Sequence, residues 1–417
     1  VIDKLLVSLF SYLNAVFALA FNLFLITTLK KAEYGLWSLI NSAAAIIAIF
    51  SLLGFPRAYQ NFMAREGELD FELYVVATIR AIILALICGA IWLYFSYSSV
   101  VGSESDPAKT SMLLLLFLIC HFVLLDFGSV AAQMGSMPRK VFVMAAHPNA
   151  IRLFVFAVLV LVGSYLFGAN VSFEFVVVSV FLQVIVTVVI VFFVIYEGGV
   201  KSWSSSIFQV CSRLNQKRVL FFCSNFGAVF SVYVGTLLVG YSGNVNDVAD
   251  FQLVFLLINF CLILPNAIYV RLLGSRAQED FNRGSVSVNE VLKTSVLMFL
   301  AGAGLSFAGL VGLEFVLPYA TPHYSLPSQT GLLAVVFIVS CRFGGAYPFA
   351  LMNSGDLIVR KTKYQLVSIA ILFGTFYLSA FDSLVDRILW AYAFSELYRS
   401  GISLYRVSEV VSRKSCA

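Results

Sequence analysis

Charge is what this sequence has least of. Its 417 residues include 27 Lys+Arg and 22 Asp+Glu, so 12% are charged, against about 25% in soluble domains. With 60% hydrophobic residues and a mean hydropathy of +0.94, a water-soluble chain of this length would lack the polar surface to cover its core. That excludes a soluble enzyme, a nucleic-acid binder and a secreted disulfide scaffold. Catalytic motifs are missing too. No G-x-x-x-x-G-K-[ST] or H-E-x-x-H element occurs, and His121, His147 and His323 fall in separate segments without ligand spacing. The short outer loops carry scattered acids (Glu104, Asp106, Asp247, Asp250, Asp382, Asp386) with no acid/base pairing. None of the seven cysteines falls in an outer loop, so no disulfide framework is implied. No cofactor, no metal site and no nucleic-acid partner are expected, and no enzyme is read from these motifs.

What the sequence has is long apolar runs. Runs of about 20 residues suit membrane-crossing helices. Twelve are placed near 5–28, 34–56, 74–98, 111–135, 150–168, 175–196, 218–241, 249–272, 291–317, 330–352, 364–381 and 387–408. The first is too long for a signal-peptide h-region and is expected to be a span. With the N-terminus inside, 22 of the 27 Lys+Arg lie at inner ends, four at outer ends, and Arg342 inside a span. By the positive-inside rule both termini are cytoplasmic, in a multi-pass protein of a bacterial cytoplasmic membrane. Trp37, Trp92 and Trp390 then fall at outer ends, where an interfacial belt is expected.

A repeat divides the chain. Ala15-Val16-Phe17 recurs as Ala228-Val229-Phe230, Trp37 and Arg57 correspond to Phe251 and Arg271, and Asp126-Phe127-Gly128 corresponds to Arg342-Phe343-Gly344. The order is kept and the offsets drift slowly. The expected fold class is therefore an all-α polytopic membrane protein. About 12 transmembrane helices form two six-helix lobes, related by a pseudo-two-fold axis normal to the membrane, with a central cavity between them. The N-lobe covers 1–199, a cytoplasmic interfacial linker 200–217 and the C-lobe 218–417.

Ionisable groups at mid-span are the functional candidates, because charge at bilayer depth costs at least about 2.5–3.5 kcal/mol. Arg342 has two readings. It is an anion anchor whose fork suits a phosphate or diphosphate, or it forms a salt bridge across the lobes to Asp126. Asp126 and Glu396 are coupling-ion candidates, or they neutralise Arg342 and Arg399, the latter at i+3 from Glu396. Asn14, Asn225 and Asn259 either line the substrate path or cross-link helices. The repeat-related Arg57 and Arg271 are placed at the cytoplasmic mouth, with a phosphate-meeting role or a topological one; Arg152 is read as an inner-end topology residue. Gly304, Ala308 and Gly312 form a small-residue stripe suited to close packing.

The segment Glu33-Tyr34-Gly35-Leu36-Trp37-Ser38-Leu39, with Leu53-Gly54-Phe55 and Ala64-Arg65, resembles bacterial polysaccharide flippases. These are the O-antigen and capsule-unit translocases of the multidrug/oligosaccharidyl-lipid/polysaccharide superfamily. Where that family often has Leu-Gly before the acidic-Tyr-Gly element, this chain has Leu29-Lys30-Lys31-Ala32. The resemblance implies alternating-access transfer of a polyprenyl-diphosphate-linked oligosaccharide (an O-antigen, capsule or exopolysaccharide repeat unit) from the inner to the outer leaflet. Arg342 is the best match to its diphosphate-contacting cations. Membrane lipids and a polysaccharide polymerase or chain-length regulator are the implied partners. A cation-drug antiporter and a peptidoglycan-precursor flippase of the same superfamily are the alternatives, with a membrane glycosyltransferase or polymerase behind them.

Overall fold

The structure is a computed structural model that describes residues 2–56, 71–96, 107–134, 138–167, 173–197, 207–265, 280–281, 283–320, 323–352, 357–381 and 383–415. Among these, twelve long helices follow one another: α1 (Ile2–Thr28), α2 (Lys31–Leu52), α3 (Phe71–Ser96), α4 (Pro107–Met134), α5 (Pro138–Phe167), α6 (Phe173–Glu197), α7 (Ile207–Ser242), α8 (Val245–Pro265), α9 (Val288–Ala320), α10 (Gln329–Leu351), α11 (Leu357–Leu378) and α12 (Leu384–Ser415). Each expected span falls on one helix. Seven stretches, including Lys31–Leu52, Phe173–Phe193 and Gln329–Leu351, are long and apolar enough to cross a membrane by length and composition.

Local chemistry sets several helix ends. Glu33 accepts the Lys30 backbone N–H at 3.1 Å and closes the first turn of α2. The same helix stops at Leu53 and Gly54, which take φ of 47° and 71°; the left-handed turn is easy for the glycine and costs the leucine roughly 1–2 kcal/mol. Between α7 and α8, Asn244 Oδ1 accepts the N–H groups of Asn246 and Asp247 at 2.8 and 3.0 Å. Before α10, Ser328 caps Gly331 N–H at 3.3 Å, and Asp386 of α12 accepts the Ser328 N–H at 3.2 Å.

The chain forms two compact units, Leu9–Tyr241 and Val1–Ser8 with Ser242–Ala417. Compact packing thus places α7 with the first unit, one helix later than the boundary expected from the repeat. Its Phe222 and Phe226 pack on Phe50 of α2, with centroids 5.7 and 4.9 Å apart. Residues 207–217 are not a separate linker: they are the first turns of α7. In the first unit α4 packs on α2, α3, α5 and α6; in the second, α10 packs on α8, α9 and α12, and α11 on α12.

Glycines set two of the close approaches in the second unit. A Cβ at Gly345 would lie 3.2 Å from the Ser400 Cα, and the Ser400 hydroxyl donates to Cys341 O at 2.6 Å. This pulls α12 onto α10. On α9, Gly302 meets Phe343 and Gly309 meets Leu257. The stripe expected to pack, Gly304 with Gly312, has no described atom within 4 Å of either glycine's Cβ position; the glycines that pack lie on another face. Exposed Leu292, Val296, Leu300, Phe307 and Phe315 on α9, like Ile79, Ile83 and Ile87 on α3, are what a lipid-facing helix shows, because hydrocarbon replaces water there.

Candidate functional site

Buried polar groups gather at one place in each unit. In the first unit the centre is Gln183 of α6. Its Oε1 accepts from Arg152 Nε at 2.7 Å, and its amide nitrogen donates to Pro148 O at 2.7 Å and meets His121 Nε2 at 3.1 Å. His121 Nδ1 lies 3.2 Å from Thr187 Oγ1, which lies 2.8 Å from Gln183 O. A guanidinium only donates and a carbonyl only accepts, so Arg152 and Pro148 together orient the amide. His121 Nε2 must then accept. The imidazole is neutral, with its proton on Nδ1 facing Thr187. All four side chains are buried, Arg152 being 6% exposed. Its Cζ lies 5.4 Å from the Phe21 ring and 5.3 Å from the Trp37 ring.

This overturns two sequence expectations. Arg152 is not at an inner end but midway along α5, beside mid-helix His121 and Gln183. Helix α5 begins at Pro138, upstream of the expected span start near residue 150, and continues through Pro148. Trp37, expected in an interfacial belt, is 2% exposed and packs edge-on to Phe21 at 5.7 Å. The nearby guanidinium rewards that placement through its attraction to the indole face. The sequence signal for both was the apolar stretch Val141–Ala146 ahead of Pro148, which extends the span upstream. Gln183→Leu is expected to lower the melting temperature of the purified full chain, since Arg152, His121 and Pro148 O each lose a partner at about 1–3 kcal/mol apiece. A fluorescence melt in detergent measures this.

In the second unit the centre is Glu396 of α12, 2% exposed. Its Oε1 accepts from Arg342 Nε of α10 at 2.7 Å, and its Oε2 lies 2.5 Å from Arg399 Nη2. Arg399 Cζ is 5.1 Å from the Phe349 ring, and Lys361 Nζ of α11 is 3.9 Å from the same ring. Two arginines therefore share one carboxylate, and Lys361 stacks on the ring that Arg399 also faces. Arg342 and Lys361 are each 9% exposed and Arg399 18%, so Arg399 is the most approachable.

Arg342 thus finds its partner inside its own unit. Its bond to Glu396 forms because the Gly345–Ser400 approach brings α12 alongside α10. Asp126 is half-buried on α4 of the first unit. Glu396, read as a coupling-ion candidate, accepts a hydrogen bond from Arg342 at Oε1 and is in ion-pair contact with Arg399 through Oε2. Arg399 pairs with it at i+3 as the spacing anticipates. Asn14 links α1 to α5: its Oδ1 accepts from Asn149 N at 3.3 Å and Asn149 Nδ2 at 3.1 Å. Asn225 and Asn259 are half-buried on α7 and α8. Arg57 and Arg271 lie outside the described residues. Sequence reasoning passed over Lys361, since an inner-end lysine is common in transmembrane helices, and read Gln183 only as one of several span polar groups that face a substrate or cross-link helices.

No family model and no curated protein matches the chain by sequence. Solved structures do match by shape. An inward-facing multidrug resistance MATE family transporter of the MOP superfamily superposes with a TM-score of 0.61 at 13% identity, covering 100% of this chain and 99% of that one. The lipid II flippase MurJ in an inward closed conformation gives 0.62 at 13%, covering 99% and 90%. The fold is that of MATE transporters and the lipid II flippase. The Vibrio cholerae MATE transporter VcmN in its bent form agrees, with 0.56 at 12% over 99% of this chain and 97% of that one. Twelve helices in this order are therefore the fold of these solved structures.

Proposed function

We propose that this chain is a flippase that moves a polyprenyl-diphosphate-linked oligosaccharide from the inner to the outer leaflet of a bacterial cytoplasmic membrane by alternating access. The observation that carries the reading is that Arg342 and Arg399 share the single carboxylate Glu396, with Lys361 beside Arg399 on the Phe349 ring. Such a cluster keeps a net positive charge in a poorly hydrated setting, which favours an anionic headgroup and repels a cationic drug. A diphosphate offers the several oxygens that arginine forks bind, and neither it nor a sugar crosses hydrocarbon unaided. Glu396 holds the arginines in place, and Arg399, the most exposed, meets the diphosphate first.

A peptidoglycan-precursor flippase is the second reading, favoured by the shape match to the lipid II flippase. The cationic cluster serves it equally, since lipid II also presents a diphosphate and sugars. A strain lacking the gene separates the two. Loss of surface polysaccharide, with its lipid-linked repeat unit retained on the inner leaflet and cell shape intact, supports the first reading. Lysis with accumulated peptidoglycan precursor supports the second. Normal glycan and wall, with altered drug sensitivity, would reject both.

A further inference from the structure

Arg152 has no counter-charge. Arg342 and Arg399 share a carboxylate, whereas among the described residues no acidic side chain pairs with Arg152, and its guanidinium makes one hydrogen bond, through Nε to neutral Gln183. A guanidinium carries five N–H donors, so four remain unused at a side chain that is 94% buried in the protein interior. Buried donors are nearly always satisfied, and a buried unpaired charge is costly. The two aromatic rings at 5.3 and 5.4 Å offset part of that cost.

The rest of the network holds Arg152 still. Gln183 is clamped on three sides by Arg152, Pro148 O and His121, so Nε is pinned and the Nη edge is the part left unengaged. A planar fork with free Nη groups, backed by aromatic faces and lacking an acid, is built to take oxygens from a ligand.

We infer that Arg152 is the anchor of an oxyanion site in the first unit, which takes a phosphate or diphosphate through its Nη groups, with Gln183 as the positioning residue. The inference stands apart from the Glu396 cluster and does not require the substrate to be a polysaccharide precursor. The anion arrives either free or attached to a lipid; the chemistry is the same.

Trp37 is a built-in reporter because its ring lies over the guanidinium. In full-length protein in nanodiscs of neutral lipid, with Trp92, Trp203 and Trp390 changed to Phe, Trp37 emission is followed against inorganic pyrophosphate, farnesyl diphosphate, farnesol and succinate. A saturable change with pyrophosphate supports a site open to free anion. A change only with farnesyl diphosphate supports a lipid-borne one. Arg152→Lys should weaken binding by about tenfold or more, because one ammonium replaces the fork. Arg152→Met should abolish the response while its melting temperature without anion stays equal or rises, as expected when an unpaired buried charge is removed. An unchanged response in Arg152→Met, a response to succinate but not to either diphosphate, or a melting temperature that falls sharply with no ligand response in the parent protein would each overturn the site. Loss of the Trp37 response with glycan export intact would keep the site and separate it from the flippase path. No response in a protein that still supports export would sink the site and leave the flippase reading standing.

Discussion

Glu396→Ala is expected to destabilise the full-length protein by about 3–5 kcal/mol, because it strands two guanidinium groups beside each other without an acid. In the native protein Arg342 and Arg399 approach the two oxygens of one carboxylate at 2.7 and 2.5 Å, and Glu396 is 2% exposed. The loss is therefore of a different order from that of a surface pair such as Arg413 with Glu409, where Arg413 is 78% exposed. Glu396→Gln should fall between, since its carbonyl keeps one acceptor. The sharper test is Glu396→Ala with Arg342→Met. Removing the buried ion pair together leaves one stranded charge in place of two, so the double variant should melt above Glu396→Ala alone. A double variant that melts lower than both singles would show that the three charges are not one unit. Melting in detergent, read by size-exclusion of the remaining folded fraction, gives these values.

The largest functional effect is expected at the arginines themselves. Arg342→Ala leaves Glu396 paired with Arg399, and Arg399→Ala leaves it paired with Arg342. Each single variant should therefore insert and fold. Transfer of the anionic headgroup should nonetheless fall by about 10- to 100-fold, the worth of one charge-assisted hydrogen bond of about 1.5–3 kcal/mol. Surface glycan in a deletion strain complemented by each variant, normalised to protein in the membrane fraction, measures this. Arg399→Ala should cost more than Arg342→Ala because Arg399 is the more exposed, and Arg399→Lys should restore part of the loss. Full display from Arg399→Ala at normal protein level would remove the cluster from the transport path.

Much of the fold was legible from composition alone. Each apolar run is a helix, and Glu33, Asn244 and Ser328 occur where helices start, because caps and apolar length act locally. The site was legible in part. Arg342 and Glu396 stood out because charge inside an apolar run is rare and costly, and the i+3 spacing of Arg399 gave its pairing with Glu396. The partner of Arg342 was not legible. The bond from Arg342 to Glu396 depends on how closely α10 and α12 approach, and a glycine facing a serine decides that. Arg152 was hidden for a related reason. The span was expected to start near residue 150, yet α5 starts at Pro138, which places Arg152 mid-helix among His121, Gln183 and Trp37.

The sequence by itself determined a membrane-spanning helical chain, its helix count and its few costly interior charges, since those follow from hydrocarbon excluding unpaired polar groups. Tertiary structure alone decided which charges are neutralised and which are not. Pairing depends on distances of a few ångströms between helices far apart in sequence, and these distances leave Arg342 and Arg399 sharing Glu396 while, among the described residues, Arg152 bonds a neutral amide and lies against two rings.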